Sequence, residues 1–454
     1  MNNDFVSTHG LPGRMSLRTR QHESVVVSTI IYLLYYYLLS FAYSSYLNPV
    51  WEGYGFSARP ESLSTSQALL VIACSLILPR ARNVRAYLVH LLFLLKVIPS
   101  AVLYAQANVS VEFAMAVYIS FGLVILFSAI PLEFSSRVRI ESRRIALIAL
   151  LLSFGTVAAM AGSGSARLFS LDLSTVYDFR RDAAENFGSA LNYLMPIVSK
   201  TAIPFGIVVA AVNRRWILVF AFFVISVVLF GLSHHKSILF YPFITLALYI
   251  FLQSAGSINA VKLGTLVVVA IGVFAIVYMD AANVSSGSIA SWYASLFIRR
   301  ALMVPVLLDS QYVEFFSTNT PYMWSGSKLT LGLIEPAYDV AAPFLIGEAY
   351  YNSLETSANT GFLGSGYAQL GFAGCMIYSA GVGLVIAILN TMGRQKGFAF
   401  VASMVSVQML TMFASTDFVT MFVTHGMVAT MLLLFVTGQP QRDTRPIRSH
   451  LPKS

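Results

Sequence analysis

Uninterrupted apolar segments of about 20 residues recur along most of the chain, and they limit the possible folds more than any other feature. A helix needs about 20 apolar residues to cross the hydrocarbon core of a bilayer. Only 11% of the 454 residues are charged, whereas soluble domains carry about 25%. The sequence therefore predicts an all-α, polytopic integral membrane protein and excludes a soluble globular domain.

Twelve apolar segments are predicted to form transmembrane helices. The second is only 14 residues long, but the distribution of basic residues on its two sides requires a crossing. In chain order the predicted spans are 24–47, 66–79, 86–106, 110–132, 145–161, 191–212, 216–233, 237–254, 263–280, 366–391, 398–415 and 418–437.

Basic residues between the spans collect on one side of the predicted membrane. Cytoplasmic loops of membrane proteins are enriched in Lys and Arg, and this asymmetry sets the orientation. Every second loop, from the N-terminal segment to the C-terminal tail, belongs to a set that holds 19 of the 29 Lys and Arg residues. Both termini are therefore predicted to be cytoplasmic, and the net charge of +9 reflects topology and not an affinity for nucleic acid. The residues of this set are Arg14, Arg18, Arg20, Arg80, Arg82, Arg85, Arg137, Arg139, Arg143, Arg144, Arg214, Arg215, Lys262, Arg394, Lys396, Arg442, Arg445, Arg448 and Lys453.

The chain is predicted to form a single membrane domain, residues 1–454, with two large loops on the side opposite to the termini. The first loop covers 162–190, the second covers 281–365, and residues 438–454 form a cytoplasmic tail. The two cysteines, Cys74 and Cys375, fall within predicted spans and give no disulfide framework.

Several cations on the outward side run against the positive-inside bias and therefore need another reason. Arginine binds phosphate in a bidentate manner and stays charged at any working pH. These cations therefore predict a site for an anion such as a pyrophosphate. The alternative is that Arg180 and Arg181 pair with neighbouring acids in a solvated loop. The candidates are Arg180, Arg181, His235, Lys236, Arg299 and Arg300.

A glycine-rich stretch, residues 357–374, leads into the tenth predicted span. The N-terminus of a helix presents free N–H groups and the positive end of the helix dipole, which together favour an anion. Asn359, Gly361 and Gly364 are therefore candidates to bind the ligand, because glycine lets the backbone approach it closely. The alternative is that the glycines serve close packing between helices.

Three ionisable residues fall inside predicted spans: Lys96, Lys200 and His425. Ionisable groups within a bilayer are costly and often functional. The alternatives are that Lys96 reaches the interface along its aliphatic chain and that His425 forms a hydrogen bond to a neighbouring helix. No group of His, Asp and Glu residues has the spacing of a metal site, so neither a metal nor a cofactor is expected.

Four motifs resemble, in this order, the Wzy-type polymerases that join oligosaccharide repeat units during O-antigen and capsule synthesis in bacteria. The resemblance covers roughly residues 170–375, and the N-terminal 165 residues match only in topology. The motifs are Val176-Tyr177-Asp178-Phe179-Arg180; Gly231-Leu232-Ser233-His234-His235-Lys236-Ser237; Arg299/Arg300 followed by Pro305, Tyr312 and Phe315-Phe316; and Ala358-Asn359-Thr360-Gly361-Phe362 leading to Gly371-Phe372-Ala373-Gly374.

The resemblance implies a metal-independent glycosyltransferase of GT-C-like architecture in the bacterial inner membrane. Such an enzyme joins repeat units at the periplasmic face, with an undecaprenyl-pyrophosphate-linked glycan as both donor and acceptor. The resemblance also implies membrane lipid and a chain-length regulator protein as partners, and no nucleic acid. The essential periplasmic arginines of the family map onto Arg180, Arg181, Arg299 and Arg300.

Within this interpretation Tyr177 and the outward cations bind the substrate, and Glu348 or Asp178 takes the proton of the attacking hydroxyl. Two alternatives remain, an O-antigen ligase-like glycosyltransferase and a lipid-linked oligosaccharide flippase. A ligase relies on a histidine in its second large loop, but no histidine lies between His235 and His425. A flippase would concentrate charges in a central cavity, whereas the charges here concentrate in outward loops.

Overall fold

The computed structural model describes residues 24–135, 139–172, 189–255, 258–281, 287–325, 330 and 332–438. Within these ranges the chain is all-helical, and its β-type pairing is confined to an isolated bridge between Ile140 and Thr437. Ten of the described helices are long and apolar enough to cross a membrane. The prediction of an all-helical, multi-pass membrane protein is confirmed at this level, whereas the predicted number of twelve spans is not.

Nine of the ten long helices coincide with predicted spans, and the remaining one, Ile289–Thr318, was not predicted. The bounds of the ten helices are Val25–Tyr54, Val84–Gln106, Val111–Ser128, Ser142–Gly162, Tyr193–Val212, Trp216–Ser233, Lys236–Ser254, Ile258–Ala281, Ile289–Thr318 and Phe362–Lys396.

Three predicted spans hold shorter helices. The span 66–79 corresponds to Ser64–Leu76, which has 13 residues, and the span 398–415 corresponds to Phe398–Ala414, which has 17 residues. The last predicted span, 418–437, is broken by a turn into two shorter pieces. These pieces are Phe418–Val423 and Met427–Val436.

The helix Ile289–Thr318 lies within the stretch that was predicted to be a loop. It packs along the preceding helix, since Tyr293 Oη donates a hydrogen bond to Val268 O (3.1 Å). Further along, Ile298 fills the space beside Gly272. The two helices therefore pack against each other along this stretch. The two adjacent arginines of this stretch are therefore part of a helix packed on the bundle and not of a solvated loop.

Four of the long helices contain a π-helical turn, and a proline follows each turn at the second residue of the next helical segment. Proline lacks an N–H group and its ring pushes away the carbonyl four residues earlier, so a widened turn accommodates it. Three of these turns carry Lys96, Lys200 and the pair Arg299 and Arg300. The turns are Tyr43–Leu47, Phe93–Val97, Val198–Ala202 and Ala294–Met303, and the prolines are Pro49, Pro99, Pro204 and Pro305.

Large apolar side chains cover much of the outside of the helix bundle. Ile217 is 85% exposed and Phe274 is 72% exposed. Soluble proteins rarely expose wide apolar surfaces, whereas lipid solvates them readily. The interior holds two clusters of buried apolar side chains, the larger containing Tyr32 and Phe93 and the smaller containing Phe222. The exterior of the bundle is therefore suited to direct contact with membrane lipid.

Loop segments that were predicted to share one side of the membrane lie together. Arg394 Nη2 donates a hydrogen bond to Leu132 O (3.0 Å), and Gly438 N donates to Ile140 O (2.9 Å). These four residues belong to loops, or border on loops, of the set rich in basic residues.

Candidate functional site

A cavity of about 560 Å³ lies beside the C-terminal half of the helix Ile289–Thr318. Its wall combines aromatic rings with polar groups, in contrast to the apolar exterior. Such a cavity can bind a hydrophilic ligand inside a membrane protein. The aromatic residues are Tyr312, Tyr322, Trp324 and Tyr378, and the polar residues are Asn359, Thr360, Ser365, Gln369, Ser415, Thr416, Asp417, Thr420 and His425.

A sharp bend at Gly371 shapes one side of this cavity. Gly371 has φ 58° and ψ −141°, a conformation that favours glycine because it has no Cβ. The bend brings the backbone of Gly366 against that of Gly374, where an added Cβ would lie 1.9 Å from Gly366 O. The short helical segment before the bend therefore stands beside the long segment after it. Ser365 and Gln369 on the short segment line the cavity.

The loop after residue 318 is fastened to the end of that short segment. Tyr322 N donates a hydrogen bond to Ala368 O (2.8 Å), and Trp324 N donates to Gln369 Oε1 (2.7 Å). Burial raises the pKa of Tyr322, so its hydroxyl stays protonated and donates to Val340 O (2.7 Å). These bonds fix two aromatic rings in the cavity wall.

Beneath the glycine-rich stretch, the buried carboxylate of Asp309 holds the backbone in place. Its Oδ1 accepts hydrogen bonds from Thr360 Oγ1 (2.5 Å) and from Gly364 N (3.1 Å). Its Oδ2 forms an ion pair with Lys96, and the two side chains are 0% and 2% exposed. A buried carboxylate requires a counter-ion and hydrogen bonds. Asp309 has both, and it thereby connects three separate parts of the chain.

This arrangement corrects the predicted role of the glycine-rich stretch. The N-terminus of the helix that begins at Phe362 binds the protein's own carboxylate, Asp309, and not an external anion at Gly364. A Cβ at Gly361 would lie 2.3 Å from Phe413 O, so this glycine serves close packing, which was the alternative interpretation. Neither glycine lines the cavity, whereas Asn359 does.

Asp417 is the acidic residue among the described residues of the cavity wall. Its Oδ2 caps a short helix by accepting hydrogen bonds from Thr420 N (2.9 Å) and Thr420 Oγ1 (3.1 Å). Its Oδ1 is buried and has no hydrogen-bond partner within the described part of the chain. The Tyr378 hydroxyl accepts a hydrogen bond from Trp324 Nε1 (2.9 Å) and interacts electrostatically with Asp417. Asp417 Oδ1 can therefore accept a hydrogen bond from a ligand.

A histidine lines another part of the cavity wall, and a lysine lies near it. His425 lines the cavity, and its Nδ1 shares a hydrogen bond with Thr424 Oγ1 (3.0 Å). Lys200 lies near enough to interact electrostatically with His425. The Lys200 ammonium group also lies 6.0 Å from the centre of the Tyr241 ring. The structure thus brings together two of the three ionisable residues that the sequence placed inside spans.

The predicted arginines Arg299 and Arg300 are not among the residues that line the cavity. The guanidinium of Arg299 lies 3.7 Å from the centre of the Trp51 ring, and its Nη2 donates to Ser295 Oγ (3.1 Å). A cation over a Trp ring is a favourable contact. Arg300 is exposed. The structure therefore gives Arg299 a packing role and leaves Arg300 accessible.

The remaining predicted site residues lie elsewhere. Glu348 is exposed on the helix Ala342–Tyr351 and does not line the cavity. His235 and Lys236 are half-buried at the start of the helix that follows the turn, and they do not line the cavity either. Four residues lie outside the described ranges, so their predicted roles stay predictions: Tyr177, Asp178, Arg180 and Arg181.

Sequence reasoning missed Asp417 and Asp309. A signal for Asp417 exists, because no other acidic residue occurs between Glu355 and Asp443. For Asp309 the signal is weaker, since an acid in an apolar helix does not reveal its partner. That partner, Lys96, lies more than 200 positions away in the sequence. Lys96 also donates a hydrogen bond to Pro305 O, which is 209 positions distant.

Comparisons of the chain with protein-family models, with curated proteins and with solved structures find no match. A function must therefore be argued from the cavity and from the residues that surround it. The resemblance of the four motifs stays a prediction.

Proposed function

We propose that this protein is a glycosyltransferase that polymerises lipid-linked oligosaccharide repeat units at a membrane surface. The observation that carries the proposal is the cavity at Asp417, where aromatic rings, amides and hydroxyls surround a carboxylate oxygen that can still accept a hydrogen bond. Sugars present C–H faces that pack on aromatic rings and hydroxyls that bond to amides and carboxylates. In an all-helical membrane protein, such a cavity suits the glycan of a lipid-linked substrate.

In the proposed reaction a hydroxyl of the incoming unit attacks the anomeric carbon of the glycan carried by undecaprenyl pyrophosphate. Asp417 Oδ1 takes the proton of this hydroxyl as general base. The bond from the anomeric carbon to the pyrophosphate oxygen breaks, and the pyrophosphate leaves with the bonding electrons. Asp417 takes the role that the sequence assigned to Glu348, because Glu348 lies away from the cavity. The same role for Asp178 stays a prediction.

The departing pyrophosphate requires positive charge around it. Within the proposal, Lys200, which lies near His425, supplies this charge, and His425 in the cavity wall binds the pyrophosphate as a neutral hydrogen-bond donor. The resemblance adds Arg299 and Arg300, of which Arg300 is exposed and accessible to a lipid head group. A chain-length regulator protein remains a proposed partner on the basis of the resemblance.

The proposal places the protein in the bacterial inner membrane, with both termini in the cytoplasm and the cavity at the periplasmic face. A reporter enzyme that is active only outside the cytoplasm should be active when fused after Ser325. The same reporter should be silent when fused after Arg139 or Arg215, because these positions lie in basic loops. The reverse pattern of activity would show that the proposed orientation is wrong.

Deletion of the gene tests the proposed function directly. We expect the ladder of surface polysaccharide, resolved by gel electrophoresis, to collapse to single repeat units and to return with the wild-type gene. The unpolymerised units should accumulate in the periplasmic leaflet. An unchanged ladder would contradict the proposal, accumulation in the cytoplasmic leaflet would indicate a flippase, and full polymer retained on its lipid carrier would indicate a ligase.

A further inference from the structure

A second cavity, of about 300 Å³, opens between helices on the outside of the bundle, and we call it the apolar groove. Leu91, Leu95, Phe297, Leu302 and Leu410 form much of its wall. Exposed small residues at its rim, among them Gly264 and Ala301, leave it open to the surrounding lipid.

The two polar side chains in the wall of the apolar groove already have partners within the protein. The Tyr87 hydroxyl shares a hydrogen bond with Ser406 Oγ (2.7 Å). The Thr265 hydroxyl donates to Val261 O (2.9 Å). The groove therefore offers a ligand only apolar contact, and neither a sugar nor a phosphate would find hydrogen bonds there. A hydrocarbon chain is the ligand that such a wall suits.

The apolar groove and the polar cavity lie at successive levels along two helices that contribute residues to both. On one helix Leu302 lines the groove and Tyr312 lines the cavity, which at 1.5 Å per residue places them about 15 Å apart. On the other helix Leu410 lines the groove and Ser415 lines the cavity. At the same rise of 1.5 Å per residue they are about 8 Å apart. The buried carboxylate of Asp309 lies between them on the first helix. A ligand with a polar head and a long hydrocarbon chain matches this arrangement.

We propose that the apolar groove binds the polyprenyl chain of the lipid-linked substrate while its glycan occupies the polar cavity. This inference rests on the function proposed above. Transfer from bilayer to groove brings no hydrophobic gain, because lipid is as apolar as leucine. The chain is instead retained by close packing against the groove wall and by its covalent link to a head group that is already bound. This link raises the local concentration of the chain.

Photolabelling of the purified protein in lipid nanodiscs tests this proposal. The probes are undecaprenyl phosphate with a diazirine in its chain and, for comparison, a phosphatidylglycerol with a diazirine in its acyl chain. We expect the first probe to label peptides that contain Leu91–Leu95 and Phe297–Leu302, and unlabelled undecaprenyl phosphate to compete. Equal labelling by phosphatidylglycerol, or a lack of competition, would show that ordinary bilayer lipid fills the groove and would overturn the proposal.

A substitution that fills the apolar groove gives a second measurement. Gly264 lines the groove, and a Cβ there would meet no atom within 4 Å, so we expect the ring of Gly264→Phe to occupy part of the groove. Gly122→Phe is the matched control, because Gly122 has equal space, lies in another long helix and lines neither cavity. We expect Gly264→Phe to lower the competed labelling by about tenfold or more and Gly122→Phe to retain it, at equal amounts of inserted protein.

The outcomes separate this inference from the proposed function. One outcome is that gene deletion abolishes the polymer but wild-type and Gly264→Phe protein are labelled equally. This outcome would overturn the proposed polyprenyl site in the apolar groove and leave the polymerase proposal standing. Competed labelling that Gly264→Phe abolishes would support the groove as a polyprenyl site. If polymer is then unchanged on gene deletion, the polymerase proposal alone is overturned.

Discussion

Lys96→Met is expected to lower the free energy of unfolding by about 3–5 kcal/mol, the usual cost of leaving one partner of a buried ion pair without the other. The Asp309 carboxylate, which is 0% exposed, would lose its counter-ion in a site that water does not reach. Its hydrogen bonds from Thr360 Oγ1 and Gly364 N would remain, but they do not neutralise its charge. Titration with SDS in mixed micelles, followed by tryptophan fluorescence, measures the change.

The double variant Lys96→Met/Asp309→Asn is the control for this prediction. An amide at position 309 carries no charge and keeps an oxygen that can accept from Thr360 and Gly364. Neutral replacement of a buried ion pair is often tolerated, so the double variant should be closer to wild type than Lys96→Met alone. This difference is the coupling that a double-mutant cycle measures. If Lys96→Met lowered the free energy of unfolding by less than about 1 kcal/mol, the result would match a solvent-exposed ion pair and would contradict a buried one.

The second large effect is expected on catalysis. Asp417→Asn should lower the rate of polymerisation by about 10²–10⁴-fold, the usual contribution of a general base. The protein should remain folded, because Asn caps a helix about as well as Asp and can still accept from Thr420 N, as Asp417 Oδ2 does at 2.9 Å. Polymer length on gels and the amount of membrane-inserted protein are measured together, in a strain that lacks the chromosomal gene.

Glu348→Gln is the matched control for Asp417→Asn. It makes the same exchange of a carboxylate for an amide, but at an exposed position away from the cavity wall. We expect Glu348→Gln to retain polymerisation. Full activity of Asp417→Asn together with loss of activity in Glu348→Gln would restore the assignment made from the sequence and would remove Asp417 from the mechanism.

The positions of the helices could be predicted from the sequence where local hydrophobicity determines them. Nine of the long helices coincide with predicted spans, whereas Ile289–Thr318 escaped because two adjacent arginines interrupt its apolar pattern. In the fold, Trp51 and Ser295 provide contacts for Arg299. These contacts make a charged residue acceptable within a packed helix. Ser295 lies one helical turn before Arg299, but Trp51 comes from a distant part of the chain that a local pattern does not include.

The candidate site was predictable only in part. Asn359 lies in the cavity wall, as the glycine-rich motif suggested, but Gly361 and Gly364 pack behind it. A glycine motif fits both a ligand-binding backbone and a close backbone contact, because both require the absence of a Cβ. The distance of 2.3 Å from an added Cβ at Gly361 to Phe413 O decides between these interpretations for that residue.

By itself, the sequence determined that the chain folds as membrane-spanning helices. In hydrocarbon every backbone N–H and C=O group must be paired within the protein, and a continuous apolar helix achieves this with local hydrogen bonds. The tertiary structure alone decided that Asp309 pairs with Lys96, and that Asp417 shares a cavity with Tyr378 and Trp324. The stability of a buried charge depends on which groups surround it. Those groups come from distant parts of the chain, so only the packed fold specifies them.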